Sequence, residues 1–156
     1  MGCAPSVEDS AGQGVVVLES EEGALSTTNS AGRTGSWFLP SREDGQVLPL
    51  LVAYHGTGGS GASMVSLLRA EAEDRGVAIL APDSRQSPSG DWTWEVGNRR
   101  NEVTEDYEHT LTCIEEFLPQ IELDEAQVLA VGFSGGGSSA PYIASNEAFF
   151  TAFGIL

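Results

Sequence analysis

The chain has 156 residues, and 7 basic residues stand against 23 acidic ones, which gives a formal net charge of −16 at pH 7. A charge of this sign disfavours binding to nucleic acid or to an anionic membrane surface through electrostatic attraction. Hydrophobic residues make up 40% of the chain and glycine contributes 19 residues, which indicates a folded globular domain rather than a disordered acidic tail.

The first 13 residues are small, polar and acidic, and they predict a flexible N-terminal tail before a folded domain over residues 14–156. Cys3 follows Met1 and Gly2, which fits an N-myristoylation pattern with a neighbouring palmitoylation site. It also fits the acylated cysteine of a bacterial lipoprotein, and an ordinary disordered start is the third interpretation. A lipid anchor at Cys3 is therefore one hypothesis among three. No apolar run reaches the roughly 20 residues that a transmembrane helix needs.

Short strands are predicted next in the chain. Residues 15–18 and 36–39 are β-branched or aromatic, and they predict an antiparallel pair at one edge of a sheet. The turn-rich residues 19–35 between them predict a surface linker. Nearly continuous apolar runs over residues 48–54, 77–81 and 128–131 predict strands buried on both faces of a parallel sheet. Residues 151–156 predict a fourth buried strand.

Helical spacing of apolar residues appears between these strands. Met64, Leu68 and Ala72 predict a first helix that ends at Gly76. Thr104 is a candidate cap for a second helix. The apolar stripe of that helix comprises Tyr107, Leu111, Ile114, Leu118 and Ile121. A third helix is predicted over about residues 138–144. The alternation of strands and helices predicts an α/β fold, with helices on both faces of a mostly parallel sheet.

The loop over residues 84–103 is long for a compact domain, which is typical of a functional segment. Its two tryptophans, Trp92 and Trp94, predict either a hydrophobic wall for an acyl group or the packing of the loop onto the sheet.

The second helix and the cysteines carry the remaining reactive side chains. Glu105, Asp106 and Glu108 have the charge that favours a helix N-terminus. His109 is predicted at the surface or edge of the helix, and Cys113 in the core or on the helix flank. No histidine, cysteine or carboxylate cluster has metal-site spacing.

A glycine-flanked serine follows the third apolar run. The sequence Gly132-Phe133-Ser134-Gly135-Gly136 matches the nucleophile pattern G-x-S-x-G between a strand and a helix. Small residues on both sides allow a tight turn that exposes the serine Oγ. The turn also places the Gly135 N–H and the start of the next helix beside the serine, where an oxyanion would form. Ser134 is therefore the candidate nucleophile.

A second glycine-rich loop, His55-Gly56-Thr57-Gly58-Gly59, follows the first apolar run. In enzymes with this serine turn, such a loop supplies the second oxyanion donor. We expect the donor to be the backbone N–H of Thr57, with Gly56 and Gly58 letting the loop lie flat. His55 is interpreted as a structural residue that orients the loop, rather than as the general base.

The same loop has an alternative interpretation. Gly56, Gly58 and Gly61 form a G-x-G-x-x-G pattern, with Asp83 at the end of the next strand, as in dinucleotide-binding folds. The strands before this unit and the later serine turn are not needed by such a fold, so this alternative is the less favoured one. A P-loop is excluded, since Ala62 stands where a phosphate-binding lysine is required.

Both motifs and the order of elements resemble α/β-hydrolase serine esterases of the polyhydroxybutyrate depolymerase and feruloyl esterase group. The resemblance covers about residues 36–156, and the matching segments are 54–60, 77–83, 106–107, 124–128 and 132–136. It implies Ser134 as the nucleophile, Thr57 and Gly135 as oxyanion donors, and a small-molecule or polymeric ester as the substrate. It also implies the absence of a cofactor and a secreted or extracytoplasmic location.

The family's remaining catalytic residues have no counterpart here. In this fold the acid and the histidine follow the serine, whereas His55 and His109 precede Ser134 and Glu147 is the sole acidic residue after it. The leading expectation is that residues 14–156 form an incomplete α/β-hydrolase domain, cut off after the strand that follows the serine turn because the chain is a fragment or a truncated reading frame. Such a chain is expected to be inactive by itself and prone to self-association through the strand over residues 151–156. The other hypothesis is a non-catalytic protein that binds its ligand.

Overall fold

The computed structural model describes residues 14–26, 32–94 and 105–156. The predicted tail with Cys3, the candidate cap Thr104 and the end of the long loop lie outside the described residues. The strands, in chain order, are β1 Val17–Leu18, β2 Glu21–Ala24, β3 Gly35–Leu39, β4 Arg42–Glu43, β5 Val47–Tyr54, β6 Ala78–Pro82, β7 Arg85–Gln86, β8 Trp92–Thr93, β9 Glu122–Gly132 and β10 Ala152–Ile155. The helices are α1 Gly61–Arg75, α2 Glu105–Phe117 and α3 Gly136–Asn146, and a 3₁₀ turn covers Leu118–Gln120.

A central sheet in the described part of the chain has the strand order β10-β9-β5-β6-β3-β2. The pairs β9–β10, β5–β9 and β5–β6 are parallel, whereas β3 runs antiparallel to both β6 and β2. The central strands are buried, as their continuous apolar runs predict: Leu50, Val52, Leu80 and Val128 have no exposed surface. The predicted mostly parallel sheet is confirmed.

Helices cover both faces of this sheet. Cys113 and Phe117 of α2 and Ile143 of α3 pack in one apolar cluster with Val52 and Leu80. Met64 and Val65 of α1 pack in a second cluster with Ile79. The helices that the alternation of strands and helices predicted on both faces of the sheet are therefore present.

The predicted edge pairing was wrong. Strand β1 pairs with β4 in a separate two-stranded sheet, and β3 lies inside the central sheet between β6 and β2. Phe38 and Leu39 of β3 are buried, as is common for a strand with a neighbour on each side, whereas Val17 is 62% exposed. The segment predicted as a linker contains β2, and its exposed glutamates blunt the edge of the sheet against further pairing.

Capping residues determine the ends of the helices. Ser60 caps α1, and it exchanges hydrogen bonds with Ser63. Gly76 ends α1 in the left-handed conformation, as predicted. Helix α2 ends at Phe117, before the predicted stripe does, because the 3₁₀ turn that contains Pro119 follows it. Helix α3 is longer at both ends than predicted.

Strand β10 exists where it was predicted, but it is not buried. It pairs with β9 on one side and forms the edge of the sheet. Phe153 and Ile155 are 53% and 64% exposed. A local apolar pattern identifies a strand but not the number of its neighbours, so the prediction of burial was wrong. Among the described residues, no helix combines the length and hydrophobicity required to cross a bilayer.

Candidate functional site

The candidate nucleophile lies in the turn between β9 and α3. Ser134 has φ 50°, and among the described non-glycine residues it alone has a positive φ. Such a conformation costs about 1–3 kcal/mol and persists only where the surrounding structure imposes it. Here the turn is held by close backbone packing, since a Cβ on Gly132 would lie 2.1 Å from the Gly136 carbonyl oxygen. The Ser134 side chain is exposed.

The loop after β5 lies directly against this turn. A Cβ on Gly56 would be 3.2 Å from the Ser134 Cβ, and a Cβ on Gly135 would be 2.8 Å from the Thr57 Oγ1 and 3.4 Å from the Thr57 backbone nitrogen. The structure therefore brings together Ser134, Thr57 and Gly135, the three residues that the sequence predicted for one site.

Within the described part of the chain, the hydrogen bonds of this loop, residues 55–59, do not use the Thr57 N–H, which lies beside the serine turn. The Gly58 N–H donates to the Trp92 carbonyl at 2.7 Å, and the Gly59 N–H donates to the Gly56 carbonyl at 2.9 Å. Among the hydrogen bonds of the described residues, none uses the N–H of Thr57 or of Gly135 as its donor. Two backbone donors that the fold does not use are thus present beside Ser134.

His55 is buried and engaged at both ring nitrogens. Its Nδ1 donates to the Gly56 carbonyl at 2.7 Å, and its Nε2 accepts from the Ser84 N–H at 3.0 Å. Burial lowers the pKa of His55 below its ordinary value, so the ring is neutral at pH 7. The ring thus holds the loop, and neither nitrogen is available to take the proton of Ser134.

His109 is buried, so its prediction as a surface or edge residue was wrong. Its Nε2 donates to the Thr34 carbonyl at 2.9 Å and lies 3.5 Å from the Cys113 sulfur. Burial lowers the pKa of His109 and raises the pKa of the Cys113 thiol to about 12. The Cys113 thiol is therefore protonated and unreactive at neutral pH, and the His109 Nε2 is occupied by the Thr34 carbonyl.

Asp106 does more than favour a helix start. Its side chain is 1% exposed and forms an ion pair of 2.5 Å with Arg33, whose side chain has no exposed surface. Glu105, at 3.1 Å from the same guanidinium, is 43% exposed. The pair joins α2 to the segment that precedes β3, which explains why this face of α2 is buried.

The single acidic residue that follows the nucleophile in this sequence is engaged elsewhere. Glu147 caps the C-terminus of α3 and accepts a hydrogen bond from the Tyr107 hydroxyl of α2. This hydrogen bond raises the pKa of Tyr107 to about 12. The contact ties α2 to α3, and it does not orient a histidine.

The two tryptophans differ in their surroundings. Trp94 is 7% exposed, its Nε1–H donates to the His55 carbonyl at 2.7 Å, and its ring meets Tyr54 edge-on at 5.3 Å. Trp92 is 36% exposed. Of the two predicted alternatives, packing onto the sheet therefore describes Trp94, whereas only Trp92 has the exposure that a substrate wall requires.

Asp83 has a partner within the fold. Its Oδ1 accepts a hydrogen bond of 2.6 Å from the Gly61 N–H, at the start of α1. In the dinucleotide alternative this carboxylate would bind ribose hydroxyls, but here it fixes a helix start. Within the described residues, no group of three histidine, cysteine or acidic side chains could hold a metal ion.

The two histidines make a pH dependence of stability predictable. An unfolded histidine has a pKa of about 6.5, and burial lowers both values in the fold. Below pH 6.5 the unfolded chain therefore binds more protons than the folded chain. The stability that comes from keeping both histidines neutral is present above pH 6.5, and it is lost as the pH falls towards the folded pKa values. We expect the free energy of unfolding in urea to fall from pH 7.5 to pH 5.5.

The double variant His55→Gln/His109→Gln provides the control, because it removes both groups while the acidic residues still titrate. The difference in stability between the two proteins should shrink as the pH falls. A difference that is constant or grows would contradict the neutral, buried state of the histidines.

Comparison with known proteins identifies the fold. No family model matches the sequence, and no curated protein matches it. Among solved structures, the acetyl xylan esterase from Aspergillus awamori superposes with a TM-score of 0.67 at 16% identity, over 85% of this chain and 50% of that one. An esterase from Rhizomucor miehei gives a TM-score of 0.58 at 17% identity, over 83% and 39%. The S-formylglutathione hydrolase from Agrobacterium tumefaciens gives 0.57 at 16%, over 89% and 60%.

These likenesses establish an α/β-hydrolase-type fold, of the kind that carries ester hydrolases. The chain spans between 39% and 60% of the length of these three structures. At identities of 16–17% the superposition shows that the backbones follow the same path. The chemistry of this protein depends on its own side chains.

Proposed function

We propose that the protein hydrolyses carboxylic esters through an acyl-enzyme on Ser134. The observation that carries the proposal is the strained serine turn, with the Thr57 and Gly135 N–H groups beside it and unused by the fold. Donors fixed where negative charge develops are usually the largest single contribution to acyl transfer, and removing one costs about 10²–10³ in rate.

In the proposed reaction the Ser134 Oγ forms a bond to the ester carbonyl carbon, and the carbonyl oxygen becomes an oxyanion bound by the two N–H groups. A histidine takes the hydroxyl proton and returns it to the departing alcohol. Water then attacks the acyl-enzyme, the carboxylic acid leaves, and Ser134 regains a proton. Because His55 and His109 are both engaged in the fold, neither of them is the histidine of this reaction.

The finer assignment is also a proposal. The resemblance of the motifs supports an esterase of the polyhydroxybutyrate depolymerase or feruloyl esterase type, secreted or extracytoplasmic, with a lipid anchor at Cys3 as one form of attachment. Small-molecule and polymeric esters both suit an exposed serine. A neighbour named for acetyl xylan is consistent with esters carried on a polymer.

A second candidate function is ligand binding without catalysis. It is favoured by one specific observation: each histidine of this sequence hydrogen-bonds elsewhere in the fold, and Glu147 is held by Tyr107. Without a base, Ser134 keeps the proton affinity of an ordinary alcohol. The 156-residue chain by itself is therefore expected to turn over esters poorly, even though its oxyanion donors are in place.

Labelling with a fluorophosphonate separates the two functions. The reagent should form an adduct on Ser134, which peptide mapping would locate, and Ser134→Ala should abolish both the adduct and the hydrolysis of p-nitrophenyl butyrate. Ser138→Ala is the matched control, since Ser138 is an exposed serine in the first turn of α3.

The assay should use the 156-residue chain and any longer form that the gene encodes. An adduct that Ser138→Ala retains and Ser134→Ala loses supports the esterase. A folded protein that forms no adduct and hydrolyses no ester in either form would contradict it and favour the binding protein.

A further inference from the structure

The segment over residues 84–94 forms a hairpin that lies against the loop of residues 55–59. Strands β7 and β8 pair within it, and its turn is closed by the Ser87 N–H, which donates to the Asp91 carbonyl at 2.7 Å. Gly90 in this turn has φ 94°, a conformation that favours glycine. The hairpin is therefore an ordered element with its own hydrogen bonds.

Three hydrogen bonds join the hairpin to the loop. The Ser84 N–H donates to the His55 Nε2 at 3.0 Å, the Trp94 Nε1–H donates to the His55 carbonyl at 2.7 Å, and the Trp92 carbonyl accepts from the Gly58 N–H at 2.7 Å. Both ends of the hairpin thus hold His55, and its last strand holds Gly58.

The peptide group between Gly56 and Thr57 links these contacts to the site. In a trans peptide the C=O and the N–H point in opposite directions. The Gly56 carbonyl is directed at the His55 Nδ1–H and the Gly59 N–H, at 2.7 Å and 2.9 Å. The Thr57 N–H of the same peptide is consequently directed away from them, and Thr57 lies against Gly135 in the serine turn.

We propose that Trp94 is a positioning residue, which holds the oxyanion loop through His55 so that the Thr57 N–H faces the Ser134 site. The proposal rests on the proposed function for its catalytic consequence. Trp94 fixes the His55 backbone, Ser84 fixes the ring, and the ring fixes the Gly56 carbonyl. The direction of an oxyanion donor is thus set by hydrogen bonds from residues 29 and 39 positions after His55.

The variant Trp94→Phe tests this proposal, because it keeps an aromatic ring beside Tyr54 while it removes the N–H donor, and the Trp37→Phe control removes the same ring volume elsewhere. Trp37→Phe is the matched control, since Trp37 is a half-buried tryptophan of β3 that packs on Phe117 of α2. In the form of the protein that hydrolyses p-nitrophenyl butyrate, Trp94→Phe should lower kcat by about 10- to 100-fold with KM changed less than about twofold. Trp37→Phe should leave both constants near their original values.

A readout without catalysis uses the 156-residue chain. Hydrogen exchange of the Gly58 amide should accelerate by about tenfold or more in Trp94→Phe. Exchange of the Gly76 amide, which donates to the Glu73 carbonyl at the end of α1, should not change. Faster exchange at Gly58 alone, together with the loss of kcat, supports the proposal.

Unchanged exchange at Gly58 overturns the proposal, as does a kcat equal to that of Trp37→Phe in an active protein. If the unmodified protein shows no adduct on Ser134 and no turnover, the proposed function fails. The exchange measurement then still decides whether Trp94 holds the loop.

Discussion

Replacing Arg33 by methionine is expected to lower the free energy of unfolding by about 3–5 kcal/mol, because the change leaves a buried carboxylate without its cation. Arg33 has no exposed side-chain surface, and Asp106, at 2.5 Å, is 1% exposed. The neighbouring Thr34 carbonyl also accepts hydrogen bonds from the His109 ring and from the Asp83 N–H. Urea unfolding at pH 7 measures the effect.

Arg69→Met is the matched control. Arg69 pairs with Glu22 at 3.2 Å, but both side chains are more than half exposed, so its loss should cost no more than about 1 kcal/mol. The double variant Arg33→Met/Asp106→Leu should recover much of the lost stability, since removing both charges leaves no buried ion. If Arg33→Met is no less stable than Arg69→Met, the pair does not hold α2 to the segment before β3.

This ion pair also shows what the sequence could not predict. Arg33 and Asp106 are 73 positions apart, and nothing in the local pattern around either residue marks the contact. His109 was misplaced for the same reason. A residue beside an apolar stripe is expected on the helix flank as long as the segment that covers it is unknown. Here Thr34, 75 positions earlier, hydrogen-bonds the His109 ring.

The pairing of strands β2 and β3 also depends on a contact between two segments that neither sequence shows by itself. Strand β2 has the sequence Glu-Glu-Gly-Ala, which has a low β-propensity. It nevertheless pairs with β3, where Gly23 lies opposite Trp37 and a Cβ on Gly23 would come within 2.8 Å of the indole ring. An aromatic side chain of the next strand therefore occupies the space at this glycine. Such complementarity belongs to the pair of strands and not to either sequence alone.

The features that could be predicted are those with a local physical cause. Strands buried on both faces must be apolar throughout, so β5, β6 and the end of β9 were visible as continuous runs. The serine turn requires small residues at fixed offsets, so Ser134 and its glycines were recognisable from spacing. The loop at Thr57 follows a buried strand and is rich in glycine. These elements meet because β5 and β9 are adjacent and parallel, which brings their carboxyl ends to one edge.

Gly136→Ala is expected to have the largest effect on the site itself. A Cβ at this position would lie 2.2 Å from the Tyr54 carbonyl oxygen and 2.6 Å from the His55 carbonyl oxygen. Because both atoms belong to the backbone, the start of α3 must move away from the end of β5. We expect a loss of about 3 kcal/mol or more in stability. Labelling of Ser134 by a fluorophosphonate should slow by about 100-fold in the fraction that remains folded.

Gly154→Ala is the control for this prediction, since a Cβ there would only reach ordinary contact with Val131, at 3.9 Å. It should leave stability and labelling close to those of the unmodified protein. Thr57 lies in the loop after β5, and Ser134 lies in the turn before α3. A movement of α3 away from β5 that relieves the clash at Gly136 therefore also separates Thr57 from Ser134. Normal stability in Gly136→Ala would contradict the predicted clash with the end of β5. Normal labelling at Ser134 in that variant would show that the contact between the two elements does not set the reactivity of the serine.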